Sequence, residues 1–218
     1  MSEYYDNSLA NRCAPKPKAF VHHNTSNKSF LKMYAYLRDR GIKNNKFFLA
    51  LYDPTIALLD PHDPKLTVEQ KAAIRKECEI NPWYYFREVC LVPVPGGKVK
   101  FELHIGNLSQ IFLLLQNLNV IEILPRQNGK TIGAVCVFSY IYELITENSA
   151  MVFSNKELAD SQLNLKRYKD IVELIPAYLK RSHPNDKNNI NMIESVKSNN
   201  SSKALSTGRD KEYADKLG

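Results

Sequence analysis

The stretch from Val120 to Thr131, Val-Ile-Glu-Ile-Leu-Pro-Arg-Gln-Asn-Gly-Lys-Thr, with the apolar run Ile132 to Tyr142 behind it, constrains this chain more than any other. A short apolar run, a polar loop and then a long apolar segment read as a buried strand, a tight connection and a helix. That order belongs to α/β proteins with a parallel sheet. Helix starts ordinarily carry Ser, Thr, Asp or Asn; here Gly129 precedes Lys130 and Thr131. Glycine lets the backbone curl close to an anion with no Cβ in the way. The unpaired amides and positive dipole end of a helix start hold phosphate oxygens. The expectation is a phosphate loop for ATP, in which Lys130 reaches the β- and γ-phosphates and Thr131 enters the shell of a Mg²⁺ ion. The common form of that loop has a glycine five residues before Gly129, where this chain has Leu124.

The segment Pro-Arg-Gln-Asn-Gly-Lys-Thr after an apolar strand resembles the deviant phosphate loop of the large terminase subunits of tailed phages, the ATPases that drive DNA into the procapsid. That loop lacks the first glycine and carries an arginine where Arg126 stands. The resemblance covers roughly residues 80 to 210 and includes a strand at Ala150 to Ser154 and a helix ending at Val172 to Pro176. It implies a P-loop ATPase core with a mostly parallel sheet, incomplete at its C-terminus and preceded by a helical part. It also implies that Arg126, Gln127, Asn128, Gly129, Lys130 and Thr131 bind nucleotide, with the amides of Asn128, Gly129 and Lys130 cradling the phosphates. Lys130 and Arg126 would act catalytically, the arginine near the γ-phosphate. In such motors a glutamine or aromatic residue ahead of the loop contacts adenine; Gln110, Asn107 and His104 stand in that position, though Gln110 reads equally well as a cap of its own helix. The partners implied are double-stranded DNA, the capsid portal, the small terminase subunit and further copies in a ring, in the host cytoplasm.

Composition bounds the reading without deciding it. At 218 residues the chain can bury a core unaided. The net charge of +7 points weakly to a polyanionic partner. Cys13, Cys78, Cys90 and Cys136 are widely spaced, with neither a zinc pattern nor a disulfide framework. No run is long and apolar enough for a membrane span, and the N-terminus does not read as a signal peptide.

Three parts follow along the chain: a loosely held arm over 1–28, a helical subdomain over 29–97, and the ATPase core over 98–218. In the arm, His22-His23 read as solvated. Phe30, Leu31, Met33, Tyr34 and Leu37 have helical spacing, with Gly41 placed to end the helix. Asp60-Pro61-His62-Asp63-Pro64 reads as turn chemistry rather than a metal site. Thr67 to Gln70 has the form of a capping box, and Asn81-Pro82 opens the next helix. Trp83, Tyr84, Tyr85 and Phe86 with Arg87 suggest core packing ahead of a base-stacking platform. Lys98 to Leu103 alternates as a strand, and Asn107 to Gln110 reads as a capping box before a helix over Ile111 to Leu118. After the phosphate loop, a buried helix to about Glu147 leads to the strand Ala150 to Ser154. Asn155-Lys156 then lies at its carboxyl end, where ligands gather in open α/β sheets, which makes Lys156 a candidate phosphate contact. A polar, turn-rich stretch, Arg181 to Asn189, precedes a hairpin of Ile190 to Ile193 with Ala204 to Ser206.

Phosphoryl transfer also needs a carboxylate for the Mg²⁺ shell and a group that positions water. No apolar run after Thr131 ends in Asp-Glu; Asp160 and Asp170 fall in a helix, and Asp210 and Asp215 follow polar sequence. The terminase pattern accounts for this, since its Asp-Glu strand and nuclease domain would come later. The expectation is therefore the N-terminal piece of a larger protein, binding nucleotide weakly and hydrolysing little alone. Two other readings stay open: a helicase-like P-loop ATPase acting on nucleic acid, and a non-catalytic module binding DNA or a partner.

Overall fold

A buried arginine organises the first half of the molecule. In the computed structural model, which describes residues 4–5, 19–116 and 130–207, Arg87 is fully buried. Its Nη1 donates to Phe48 O at 2.6 Å, its Nη2 to Ala50 O at 3.2 Å and its Nε to Glu88 Oε1 at 3.0 Å. An unpaired buried charge costs several kcal/mol, so such a guanidinium persists only where every side of it meets an acceptor. The chain divides into two compact units, residues 1–134 and 135–218, a division other than the 97/98 boundary read from the sequence.

In the first unit, strands β1 (Tyr4–Tyr5), β2 (Ala19–Val21) and β3 (Ala50–Leu51) form a small antiparallel sheet. Helix α1 runs Lys28–Asp39 and buries Phe30, Met33 and Leu37. Gly41 (φ 70) ends it: Gly41 N donates to Arg38 O at 2.9 Å and Ile42 N to Leu37 O at 3.1 Å, the paired bonds of a Schellman motif. Helix α2 (Val68–Ile80) carries the expected capping box of Thr67 and Gln70. Asn81 caps α3 (Pro82–Tyr84), which continues as a wider π-helical turn over Tyr85–Val89. Trp83, Tyr84, Tyr85 and Phe86 are all buried. Trp83 meets Phe47 edge-on at 5.1 Å, and Phe86 meets Phe101 at 5.7 Å. The aromatics are core, not a platform. The hairpin β4 (Leu91–Val94) and β5 (Gly97–Lys100) turns at Gly96 (φ 81). Around Asp60 the turn chemistry is explicit: Asp60 Oδ1 accepts from His62 N and Asp63 Oδ1 from Lys65 N.

Residues 19–27, read above as the end of a loose arm, are tied into this unit. Asn27 Nδ2 donates to Arg87 O and Phe101 O at 3.0 and 2.9 Å, while its Oδ1 caps α1. Thr25 Oγ1 donates to Glu88 Oε1 at 2.6 Å. His22 is buried rather than solvated, 3.9 Å from the same carboxylate. Isolated polar side chains read as solvent-facing; here they are the acceptors and donors that a buried ion pair requires.

Helix α4 (Ile105–Leu115) starts earlier than the sequence suggested. Its cap is His104, in a reciprocal arrangement with Asn107, so Gln110 lies in the second turn and not in the capping box. Helix α5 (Lys130–Tyr140) widens into a π-helical turn over Ile141–Ile145. No described helix is long and apolar enough to cross a membrane.

The second unit holds β6 (Ala150–Asn155), α6 (Leu158–Leu174), β7 (Lys187–Asn189), β8 (Met192–Ser195) and β9 (Asn200–Ser206). Its sheet has the order β6-β9-β8-β7. The pairing of β6 with β9 is parallel, from Ala150 opposite Ser201 to Asn155 opposite Ser206. The other two described pairings are antiparallel, where a mostly parallel sheet was expected. The hairpin of β8 and β9 turns through Asn199 (φ 52), and β7 adds a strand within the stretch read as turns. Along β9 residues alternate between buried and half-buried, Asn200, Ser202, Ala204 and Ser206 lying on the covered face.

Candidate nucleotide site

The candidate loop and its helix take up the chain at α5. Lys130 is the first residue of that helix and Thr131, half-buried, the second. Arg126, Gln127, Asn128 and Gly129 lie outside the described residues, as does the side chain of Lys130. From Val135 to Val137 three successive residues are buried, so this part of the helix is apolar all round, as expected of one enclosed on every side.

What the structure brings to the start of α5 is α4. Gln110 is buried, and a Cβ built on Gly133 would overlap its Oε1 and come within 3.3 Å of Asn107 Cβ. Glycine at 133 leaves the space that Gln110 Oε1 fills in this packing. Of the three residues singled out as adenine contacts, Gln110 and Asn107 sit against the first turn of α5. His104 is exposed at the cap, with its Nδ1 accepting from Asn107 N at 3.4 Å. Asn107 is occupied: its Oδ1 accepts from His104 N at 2.8 Å and its Nδ2 donates to Glu102 O at 2.8 Å. Sequence reading missed Gly133. Its signal was a second glycine inside an otherwise apolar helix, a pattern that marks close packing.

In the second unit, the carboxyl ends of β6 and β9 are tied together by one hydroxyl. Ser161 Oγ accepts from Asn155 N at 2.9 Å and donates to Leu205 O at 2.6 Å. Thr207 N donates to Asn155 O at 3.0 Å and Ser206 Oγ to Lys156 O at 2.9 Å. Lys156 itself is exposed at this end of the sheet. Asp160 is exposed in the first turn of α6, and Asp170 is paired with Lys166 at 2.7 Å. Asp210 and Asp215 lie outside the described residues.

Among the described residues, buried Glu77 and Glu88 and half-buried Glu143 are tied to neighbouring side chains or backbone. Glu143 accepts from Tyr168 Oη at 2.8 Å; burial pushes its carboxyl above the usual range despite that bond. Glu77 takes the backbone N–H groups of Tyr52 and Asp53 and the Asn81 amide, and burial again raises it. For Glu88 burial acts the same way, but Arg87, Thr25 and Lys100 outweigh it and hold the carboxyl below its usual range.

As for a metal, no cluster of three or more His, Cys, Asp or Glu side chains occurs among the described residues. Among the described residues, Thr131 places one hydroxyl at the start of α5, a donor compatible with a Mg²⁺ ion carried in by a phosphate chain. Neither a protein-family model nor a curated protein matches the chain.

Proposed function

We propose that this chain is the ATP-binding part of a viral DNA-packaging motor, the ATPase portion of a large terminase subunit. The observation that carries the reading is the placement of Arg-Gln-Asn-Gly-Lys-Thr immediately ahead of α5, with Lys130 and Thr131 as its first two residues. The parallel β6-α6-β9 unit that follows, and the approach of α4 to the first turn of α5 at Gly133, support it. The fold it implies is a P-loop ATPase core with a helical N-terminal part.

In this reading the amides of Asn128, Gly129 and Lys130 hold the phosphates, and Lys130 neutralises the β- and γ-oxygens. Thr131 would offer its hydroxyl to Mg²⁺, which when bound would screen the charge of the phosphate chain. Arg126 stands near the γ-phosphate and senses its charge, Gln127 lines the loop, and Gln110 reaches the base from α4. Double-stranded DNA is the substrate moved; the portal, the small terminase subunit and further copies in a ring are the partners, in the host cytoplasm.

Thermal unfolding with and without Mg-ATP tests the binding step. A ligand that binds only the folded state at 100 times its Kd adds about 2.7 kcal/mol, so the wild type shifts upward by several degrees and Lys130→Ala does not. No shift for the wild type at millimolar Mg-ATP would leave a non-catalytic DNA- or partner-binding module as the better account. In the complete motor, Arg126→Ala loses hydrolysis and keeps most nucleotide binding; unchanged hydrolysis removes Arg126 from the site.

A further inference from the structure

The positive charge of this chain is concentrated. Between residues 28 and 46 stand six cations, Lys28, Lys32, Arg38, Arg40, Lys43 and Lys46, against one carboxylate, Asp39. The net +7 of the whole chain is therefore mostly the charge of α1 and the loop behind it. The opposite side of α1 is apolar: Phe30, Met33 and Leu37 are buried in the first unit, which fixes how the helix is turned. Lys28, Lys32, Tyr36 and Arg40 then follow at every fourth residue, and all four are exposed. At about 1.5 Å per residue they mark a stripe roughly 18 Å long.

Two details separate this stripe from an ordinary solvated face. Among the described residues no carboxylate pairs with Lys28, Lys32 or Arg40; Asp39 is taken by Arg38 at 3.0 Å. Such a face usually carries alternating signs, which lower its own repulsion. The cations are also backed by shape. Arg40 lies over the Tyr36 ring at 3.5 Å, a cation–π contact that steadies an exposed guanidinium. At the other end a cavity of about 410 Å³ is lined by Lys28, Lys32 and Lys100, with Glu102 and His104 on its wall. Lys100 is steadied there by Ser26 Oγ at 2.7 Å and Glu88 Oε2 at 3.2 Å. A row of same-sign charges with a recess at one end and a stacked guanidinium at the other suits a partner that is itself a row of anions.

We infer that the exposed stripe of α1, with the recess at Lys100, is a binding surface for the phosphate backbone of a nucleic acid. It rests on the proposed function only in naming duplex DNA among nucleic acids. The contacts are to phosphates, so the surface is indifferent to base sequence; such contacts position a chain on DNA without reading it. Each neutralised phosphate releases condensed counterions, and log K falls with log[salt] at a slope of about 0.9 per contact.

The experiment is fluorescence anisotropy of a short labelled duplex of mixed sequence against the full chain, over a series of salt concentrations. Wild type is compared with the triple variant Lys28→Gln/Lys32→Gln/Arg40→Gln and with a charge-matched control, Lys65→Gln/Lys71→Gln/Lys76→Gln, on and before α2. The stripe variant is expected to lose at least tenfold in affinity at low salt and about 2 to 3 units of salt slope. The control is expected to keep most of both. Equal losses in the two triples, or an unchanged stripe variant, would overturn the inference. Equal displacement of the duplex by polyglutamate would overturn it too, since the surface would then read charge alone. Thermal unfolding of each variant confirms that it is folded, and its shift with Mg-ATP reports the nucleotide site separately. A chain that loses DNA and keeps its ATP shift separates this surface from the loop at Lys130.

Discussion

The two units hold carboxylates away from water in contrasting company, Glu88 buried in the first and Glu143 half-buried in the second. In the first, Glu88 sits against Arg87 and Lys100, and its carboxyl is held below the usual range although burial opposes this. In the second, Glu143 has the Tyr168 hydroxyl, and burial raises its carboxyl. Glu77 shows that the partner decides, not the unit: it lies in the first unit, but its hydrogen-bond partners are amides, and it too is raised. Neutral donors satisfy the geometry of a buried carboxylate without compensating its charge; a guanidinium does both. The second unit relies instead on capping and register. Arg181 donates to Thr146 O and Leu144 O at the end of α5's π-helical turn, and Asn200 Nδ2 to Tyr142 O and Thr146 O.

That contrast can be broken most directly at Arg87. Replacing it with Met leaves Glu88 without its nearest charge and frees the carbonyls of Phe48 and Ala50, a loss of about 3–5 kcal/mol for a disrupted buried pair. Tyr168→Phe, which removes one neutral donor, costs about 1 kcal/mol. Urea unfolding measures both; equal costs would abolish the distinction. A second test sharpens the role of close approach. Gly133→Ala should cost no more than about 1 kcal/mol, since it displaces the flexible end of Gln110 and gains helix propensity, and adding Gln110→Ala should remove that cost. A double-mutant cycle without coupling would mean that α4 and α5 do not meet there.

The smallest effect is in pH. The Glu88 carboxyl is depressed, so the unfolded chain takes up its proton first as pH falls. Stability from Glu88 is therefore complete above the usual value of 4.5 and is lost as pH drops through the lower folded value. Glu143 is raised and behaves the other way: its contribution is present below 4.5 and is lost as pH rises through the higher folded value. Glu143→Gln keeps an acceptor for Tyr168 and should flatten that second dependence, leaving the first. Chemical unfolding between pH 3 and 8 reads both; a Glu143→Gln profile parallel to the wild type would sink the assignment.

How much of this was legible beforehand follows from the range of the interactions. The capping box of Thr67 and Gln70, the Asn81-Pro82 helix start, the Gly41 stop and the Asp60 turn chemistry were read correctly, because each is settled within about five residues. The burial of four consecutive aromatics was also foreseeable, since no helix can present them all to solvent. His22 reads as solvated and the stretch around Thr25 and Asn27 as loose, because the carboxylate and carbonyls these residues serve lie some sixty or more residues away. The cap of α4 reads three residues late, at Asn107 for His104, and its helix six, at Ile111 for Ile105, because histidine is an uncommon cap and Asn107 is its N3 partner. Strand β7 was hidden by its composition: Lys187-Asn188-Asn189 has no apolar alternation and is a strand only because β8 lies beside it. At the candidate site, Lys130 and Thr131 begin a helix as the spacing demands, while Gly133 could be understood only once α4 lay against it.

Ser161 carries a consequence beyond its hydrogen bonds. In a sheet, a slip of one residue sends every side chain of a strand to the opposite face, and β6 and β9 are joined by more than thirty residues of intervening helix and hairpin. The Ser161 hydroxyl takes the amide of Asn155 and gives to the carbonyl of Leu205, so a slip of one residue would break the bond to one strand or the other. With the Thr207 amide and the Ser206 hydroxyl, the Ser161 oxygen fixes the addressing of the parallel pair at its carboxyl end. An alanine there would leave the strands paired but their alignment less closely supervised.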